Sequence, residues 1–311
     1  MDVKSPYLHP EFETLSREEI SKLQTKRLRE TMQQCMKVPF YAKKFAEMGV
    51  TPDDIKSPDD VRRLPFTTKQ DLRDTYPFGL AAVPLSECVR LHSSSGTTGN
   101  PTVILHTQRD LDEWANQVAR NLWMVGLRPD DIFQNSSGYG MFTGGLGFQY
   151  GAERLGMLTV PAAAGNSLRQ IKFIKDFGTT AIHAIPSYLN RLYEVMQEQG
   201  VDPKKDTKLR VFAIGAEPHS EEQRQRIEKM FGVKPIIYTG VNFYAKYLEG
   251  RFRGYRFMVA RYAEEFPGLS EDVPIVLWQY SSTSYVDGIR GHVDKSVFLD
   301  RYGVADIMLK K

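Results

Sequence analysis

Three short apolar runs alternate with three amphipathic segments between Met157 and Lys234, and this alternation limits the possible folds more than any other feature of the chain. The predicted strands are 157–161, 181–185 and 209–214, and the predicted helices are 167–177, 187–199 and 220–231. Strands that alternate with helices form a parallel sheet with the helices as crossovers. The sequence therefore predicts an α/β fold, whose ligands bind where the strands end.

The front of the chain is predicted to be a helical scaffold. Ser16 and Glu19 form a capping-box pattern before a long amphipathic segment, which predicts a helix over 16–36 that ends before Val38-Pro39. Further helices are predicted over 39–47, from Ser57, over 67–74 and over 108–125.

A run of hydroxyl residues and glycines lies between two predicted strands, 88–92 and 102–106. It contains five hydroxyls and two glycines in seven residues: Ser93, Ser94, Ser95, Gly96, Thr97, Thr98 and Gly99. Glycine lets backbone amides turn toward an anion, and hydroxyls add further donors, so these residues are candidates for binding phosphate. No lysine follows Gly99, which excludes a Walker A loop. A flexible linker is the alternative.

Two further loops follow predicted strands. The run Ser137–Gly147 combines many glycines with aromatic residues, which suits a pocket wall, although a glycine-rich turn with aromatic residues packed in the core explains it equally well. In Gly215-Ala216-Glu217-Pro218 the small residues would admit a flat ring, and Glu217 could accept from an amino or hydroxyl group. An ordinary strand-to-helix turn capped by Ser220 is the alternative there.

Composition argues against several other classes of protein. The 41 Lys and Arg nearly balance the 38 Asp and Glu, which predicts no nucleic-acid partner. Cys35 and Cys88 lie far apart and match no metal or redox spacing, so no metal site is predicted. No signal peptide and no run of membrane-spanning length is apparent, so we expect a cytoplasmic protein without membrane association.

With these loops placed, residues 1–234 closely resemble the phenylacetate-CoA ligases of the adenylate-forming acyl-CoA synthetase superfamily. The motifs are LPFTTKQDLRDTYPFGL (64–80), SSSGTTGNPT (93–102), YGMFTGGLGFQYGAERLG (139–156) and GAEP (215–218). The resemblance implies ATP, Mg²⁺ and coenzyme A, with an aryl acid as the small-molecule partner. It places the ATP phosphates at Ser93–Gly99, the adenine at Gly215, Ala216, Glu217 and Pro218, and the aryl acid at Tyr139, Phe142 and Gly144.

One departure from this family lies after Val233. The family carries an aromatic-Gly-x-Thr-Glu motif there, whereas this chain has Ile-Ile-Tyr-Thr-Gly-Val-Asn at 236–242, and no Thr-Glu pair follows. The ribose-binding aspartate and the small C-terminal domain with its catalytic lysine also have no counterpart. The resemblance therefore implies a truncated ligase domain whose activity is impaired or lost.

From Lys234 onward the chain is similar to glycoside hydrolase family 25, lysozyme-like muramidases built on a βα barrel. The segments are KPIIYTGVNFYAKYL, RFMVARY and VPIVLWQYSSTSYVDGIRGHVDKSVF. The resemblance implies an acidic active-site residue at Asp294. It also implies a sugar groove at Tyr238, Arg261, Tyr262, Trp278 and Tyr280. Each could instead be an ordinary core or surface residue, and no second carboxyl group for glycoside cleavage has a counterpart.

We interpret the chain as two partial enzymes joined near Lys234-Pro235: a ligase-like domain over 1–234 and a partial βα-barrel-like tail over 235–311. The first hypothesis for function is an impaired aryl acid-CoA ligase with residual ATP or acid binding, the second a peptidoglycan muramidase, and the third an inactive chimeric protein. Strands without a neighbour would favour association, so a homo-oligomer stays open.

Overall fold

The computed structural model describes residues 5, 7–94, 99–141, 143–217 and 220–233, and four strand segments of the tail. The helices are α1 (Pro10–Glu13), α2 (Arg17–Cys35), α3 (Pro39–Met48), α4 (Lys69–Asp74), α5 (Gln108–Met124), α6 (Thr143–Leu155), α7 (Ser167–Asp176), α8 (Pro186–Glu198), α9 (Pro203–Asp206) and α10 (Glu221–Phe231). The strands are β1 (Cys88–Ser93), β2 (Val103–Thr107), β3 (Ile132–Asn135), β4 (Leu158–Val160), β5 (Ala181–Ala184), β6 (Val211–Ile214), β7 (Ile236–Gly240), β8 (Arg256–Ala260), β9 (Ile275–Ser284) and β10 (Val293–Phe298). None of these described helices has the length and apolar character needed to cross a bilayer.

A four-stranded parallel sheet in the order β4-β3-β5-β6 forms the centre of the larger part, which confirms the predicted α/β fold. Phe133 on β3 and Ile182 on β5 are fully buried in it. All four strands run the same way, so their carboxyl ends meet at one edge of the sheet. Ligands bind at this edge in open α/β folds, and the candidate loops after β3 and β6 begin there.

The predicted front helices are confirmed, and local hydrogen bonds explain where they begin. At the start of α2, the Ser16 amide donates to Glu19 Oε2 at 2.8 Å and the Glu19 amide donates to Ser16 Oγ at 3.3 Å. These bonds satisfy amides that a helix start leaves without partners. Helices α2 and α3 then bury Met32 and Phe45 against Val50 and Ile55.

Helix α6 is the main difference from the sequence-based expectation of a glycine-rich loop. Glycine is a poor helix former, so local propensity argued against a helix here. The helix forms because its glycines let it lie very close to α5. A methyl group on Gly147 would lie 2.6 Å from Trp114 Cζ2, and one on Gly151 would lie 2.3 Å from Val118 Cγ1. Tertiary packing against α5 therefore outweighs the local preference.

The tail strands form a sheet of their own, in the order β10-β9-β8-β7. Strands β7, β8 and β9 pair in parallel, and β10 is antiparallel to β9. Asp294 lies in β10, where the register with β9 is irregular between Val293 and Lys295. Tyr238 lies in β7, Trp278 and Tyr280 lie in β9, and Arg261 and Tyr262 lie outside the described residues.

Candidate functional site

The hydroxyl loop begins and ends on a paired hairpin. Strands β1 and β2 are antiparallel, with Ser93 opposite Val103. Beyond that pair the Ser94 amide donates to the Thr102 carbonyl at 3.0 Å, and the Thr102 amide donates to Ser94 Oγ at 2.9 Å. At the far end, Gly99 has a φ of +136°, a conformation that favours glycine. Ser95, Gly96, Thr97 and Thr98 lie outside the described residues, so their phosphate-binding role stays a prediction.

The hydroxyl loop is tied to the predicted acid-binding loop through one carbonyl group. The Met141 carbonyl accepts from the Ser93 amide at 3.4 Å and from His92 Nδ1 at 3.0 Å. His92 is 2% exposed, and its ring packs edge-on against Trp114 of α5. The structure therefore brings together two segments that lie more than forty residues apart in sequence, beside the predicted position of the phosphates.

A buried polar cluster lies at the carboxyl ends of β3 and β5. His183 Nδ1 lies 3.0 Å from Asn135 Oδ1 and 3.0 Å from Ser137 Oγ. The amide nitrogen of Asn135 donates to the Gly145 carbonyl at 2.6 Å, which leaves Oδ1 facing the imidazole as an acceptor. Nδ1 therefore donates, and the Ser137 hydroxyl keeps its own proton for a ligand. Sequence analysis missed His183, although a histidine ending an apolar strand was an available signal.

Burial keeps this histidine neutral. His183 is 6% exposed and stacks on Phe148 with ring centroids 3.9 Å apart. Removal from water disfavours the imidazolium and lowers the pKa of His183 from 6.5 to about 4. The cluster is therefore uncharged at neutral pH, and its Ser137 hydroxyl is a neutral hydrogen-bond donor.

Tyr139 lies at the same edge, next to the start of α6. Its hydroxyl donates to Gln149 Oε1 at 2.8 Å, and Gln149 Nε2 donates in turn to Glu153. Burial raises the pKa of Tyr139 to about 12, so the phenol stays protonated. Gly144 lies in the first turn of α6, and Phe142 lies outside the described residues. Tyr139 therefore contacts α6, the helix that contains Gly144, and the contact of either residue with an acid stays a prediction.

The carboxylate of Glu217 is hydrogen-bonded to Ser187 of the same chain. One carboxylate oxygen accepts from the Ser187 amide, and the other accepts from Ser187 Oγ at 3.0 Å. Ser187 lies in the first turn of α8, where the helix dipole and free amides attract an anion. Ala216 has a φ of +69°, which is unusual for a residue other than glycine. Pro218 lies outside the described residues, and a direct contact of Glu217 with a nucleotide stays a prediction.

The described residues contain no group of three or more His, Cys, Asp or Glu side chains that could bind a metal ion.

Comparison with known proteins gives two family matches. The family model of AMP-binding enzymes matches residues 21–240, and that of glycosyl hydrolases family 25 matches residues 215–289. The two matches overlap around the predicted junction at Lys234-Pro235.

Individual relatives agree with these matches. Phenylacetate-coenzyme A ligase of Pseudomonas putida is 45% identical over 231 residues, which cover 74% of this chain and 52% of the relative. A crystal structure of 2-hydroxyisobutyryl-CoA ligase with 2-HIB-AMP and CoA superposes with a TM-score of 0.67 at 32% identity, and covers 75% of this chain and 53% of that one. Protein YegX of Escherichia coli is 43% identical over 72 residues, 23% of this chain and 26% of its own length. The chain thus spans about half the length of the ligases it matches.

Proposed function

The chain belongs to the AMP-binding enzyme family, and from this we propose that the carboxyl edge of its parallel sheet binds ATP and an aryl carboxylic acid. The observation that carries the proposal is the Met141 carbonyl, which accepts from both the Ser93 amide and His92 Nδ1. Through this carbonyl group the hydroxyl loop contacts the predicted acid-binding loop. This is the arrangement that a reaction between a carboxylate and a phosphate needs.

The proposed reaction is the formation of an aryl-CoA thioester. The carboxylate oxygen attacks the α-phosphorus of ATP, pyrophosphate leaves, and an acyl-adenylate forms. The thiol sulfur of coenzyme A then attacks the acyl carbon, the thiol proton passes to solvent, and AMP leaves. In this scheme the amides and hydroxyls of Ser93–Gly99 donate to phosphate oxygens, where negative charge must be stabilised. Mg²⁺ would enter as the ATP complex, bound through phosphate oxygens.

The acid would lie beside Tyr139. Because its pKa is about 12, the phenol presents a neutral hydroxyl and an apolar ring, and neither repels a carboxylate. The Ser137 hydroxyl, which accepts from His183, supplies a second neutral donor at the same edge. An aryl acid such as phenylacetate suits this combination of a flat apolar wall and a few hydrogen-bond donors.

We propose that the chain forms aryl-CoA only slowly. We also propose that its ligase-like and lysozyme-like parts join near Lys234-Pro235. The segment 236–242 lacks the Thr-Glu pair that the ligase resemblance implies for holding the α-phosphate and Mg²⁺. Strand β7, which begins that segment, pairs with β8 and belongs to a different sheet from β6. Both observations support a chain that still binds nucleotide but catalyses the reaction slowly.

Titration of the purified 311-residue chain with Mg-ATP tests binding, and an assay for aryl-CoA from phenylacetate, ATP and coenzyme A tests turnover. We expect saturable ATP binding that raises the melting temperature, since a ligand at 100 times its Kd stabilises the folded state by about 2.7 kcal/mol. Aryl-CoA formation should be slow. Absence of any ATP binding would favour the inactive chimera, and turnover at the rate of a full-length ligase would contradict the proposed impairment.

The family 25 match supports muramidase activity as a second candidate function. Asp294 would supply one carboxyl group, but glycoside cleavage ordinarily needs two across the scissile bond. Clearing of a cell-wall suspension by the wild-type chain, and its loss in Asp294→Asn, would establish this activity. No clearing by the wild type would exclude it.

A further inference from the structure

We propose that a cationic groove between α2 and Lys56 binds the phosphate group of a nucleotide-sized ligand. The groove has a volume of about 560 Å³, which lies in the range of small-molecule sites. Its lining belongs to none of the three candidate loops, so this is a second site, separate from the proposed ATP site. The proposal goes beyond the proposed function because it does not require the formation of aryl-CoA.

The helical wall of the groove is polar. Ser21, Thr25, Arg29 and Gln33 follow one another on α2 at intervals of four residues, so each lies one turn from the next. The Thr25 hydroxyl already donates to the Ser21 carbonyl at 2.8 Å. The Ser21 hydroxyl, the Gln33 side-chain amide and the Arg29 guanidinium can donate to phosphate oxygens.

The Arg29 guanidinium is fixed by a residue of the core. Arg29 Nε donates to the Ile55 carbonyl at 2.6 Å, and Ile55 is fully buried in the cluster that contains Met32 and Phe45. Because only Nε makes this bond, the two terminal nitrogens stay available to the groove. A guanidinium held in this way loses little freedom when a ligand binds, and its planar fork can bind two phosphate oxygens at once.

Two cations of the groove have no ion pair. In the part of the chain that the structure describes, no carboxylate lies within ion-pair distance of Arg29 or of Lys56. The other cations of the lining do have partners. Lys26 pairs with Glu30, the acidic residue of the lining, at 3.9 Å, and Lys22 pairs with a carboxylate of α2 at 2.6 Å. The groove therefore carries two positive charges that an anion can neutralise.

The acidic residues nearest to Lys56 in the chain are bound to other groups. Asp54 Oδ2 accepts from the Thr51 amide at 2.8 Å and from the Thr51 hydroxyl at 2.6 Å. These bonds lower the pKa of Asp54, and the charges of nearby cations, Lys56 among them, contribute less. Asp60 Oδ2 accepts from the Lys56 amide at 2.8 Å. The backbone at Lys56 is thus fixed, while its ammonium group makes no bond to a described residue.

Isothermal titration of the full chain with coenzyme A tests the proposal, with Mg-ATP and inorganic phosphate as further probes. Lys56→Gln removes one charge and no side-chain contact among the described residues, and it should raise the Kd for coenzyme A at least about threefold. Arg29→Gln should raise it at least about tenfold, the loss expected for a charge-assisted hydrogen bond. Mg-ATP should keep its Kd in both variants, because its proposed site is the carboxyl edge of the sheet.

Arg27→Gln is the matched control, because Arg27 lies on the same helix, is exposed and does not line the groove. It should leave every Kd unchanged. The proposal is overturned if the wild type binds none of the three probes, or if Lys56→Gln and Arg29→Gln bind coenzyme A as the wild type does. A loss in Arg29→Gln alone, or an equal loss in Arg27→Gln, would also overturn it, since these results indicate a structural role or unspecific attraction.

The three probes identify the source of the phosphate and separate this proposal from the proposed function. Inorganic phosphate that binds as tightly as coenzyme A would identify the free anion as the ligand. An equal loss for Mg-ATP in Lys56→Gln and Arg29→Gln would show that nucleotide phosphates in general bind in the groove, and would overturn the site at the carboxyl edge. Binding of coenzyme A that both substitutions weaken, without any binding of Mg-ATP, would support the groove and contradict the proposed function.

Discussion

The imidazole of His183 and the hydroxyl of Ser137 lie 3.0 Å apart, Nδ1 to Oγ, and join the carboxyl ends of β3 and β5. His183 lies in β5 and Ser137 lies two residues after the end of β3, and Asn135 completes the cluster at the same distance from Nδ1. The ring is buried against Phe148, and this removal from water favours its neutral form.

Stability should therefore fall in acid because of His183. The pKa of His183 is about 4 in the folded chain and about 6.5 when unfolded, so the unfolded state binds the proton more readily. The stabilisation is complete above pH 6.5 and is lost as the pH falls from 6.5 toward 4, by up to about 3 kcal/mol. Urea unfolding at several pH values, compared with His183→Gln, isolates this contribution. Parallel curves for the two proteins would contradict it.

Replacement of Glu217 by Gln should destabilise the fold as well as any nucleotide complex. The carboxylate accepts from the amide and hydroxyl of Ser187 at the start of α8, and loss of its charge there should cost about 1–2 kcal/mol. Glu198→Gln at the other end of α8 removes only an exposed ion pair with Arg191 and should cost under about 1 kcal/mol. Chemical denaturation compares the two. Equal effects would show that the contact with Ser187 contributes little.

A methyl group on Gly151 should weaken the contact between α5 and α6. It would lie 2.3 Å from Val118 Cγ1, and the resulting overpacking should cost about 1–3 kcal/mol in the free energy of unfolding. Val118→Ala in the same chain should restore part of the loss by making room. Gly138→Ala is the matched control, because no heavy atom of the described residues lies within 4 Å of its added methyl group. A destabilisation of the same size in Gly138→Ala would refute the packing explanation.

Asp131→Ala should be the most destabilising of these substitutions. Asp131 is 3% exposed and accepts from the Arg128 amide at 2.8 Å, from Thr180 Oγ1 at 2.9 Å and from Arg210 Nε at 3.2 Å. Its removal leaves the part-buried guanidinium of Arg210 without this counter-ion and leaves the Arg128 amide and the Thr180 hydroxyl without their acceptor, which should cost about 3 kcal/mol.

The control for Asp131 is an exposed ion pair. Lys172→Ala breaks a contact with Asp176 on the surface of α7 and should cost under about 1 kcal/mol. Thermal or urea unfolding of both variants measures the difference. Similar values would mean that Arg210 finds another partner when Asp131 is removed.

Sequence patterns were sufficient where a local interaction decides the structure. The capping box at Ser16 and Glu19 predicted α2, and apolar runs of strand length predicted β4, β5 and β6. They did not predict α6, because glycine has a poor helix propensity. This helix forms through contact with Trp114 and Val118 of α5. They also did not predict the hydrogen bond between Ser187 and Glu217, because the two residues are thirty positions apart and come into contact only in the folded chain.

The sequence by itself determined the α/β class, the position of the hydroxyl loop and the resemblance to two families, because strand and helix periodicity and short motifs are local properties of the chain. Only the tertiary structure decided which of these parts meet. It joined Ser93 to Met141, placed His183 against Ser137 and brought Arg29 to the Ile55 carbonyl. Contacts between distant residues depend on how strands and helices pack in three dimensions, and no local pattern records that packing.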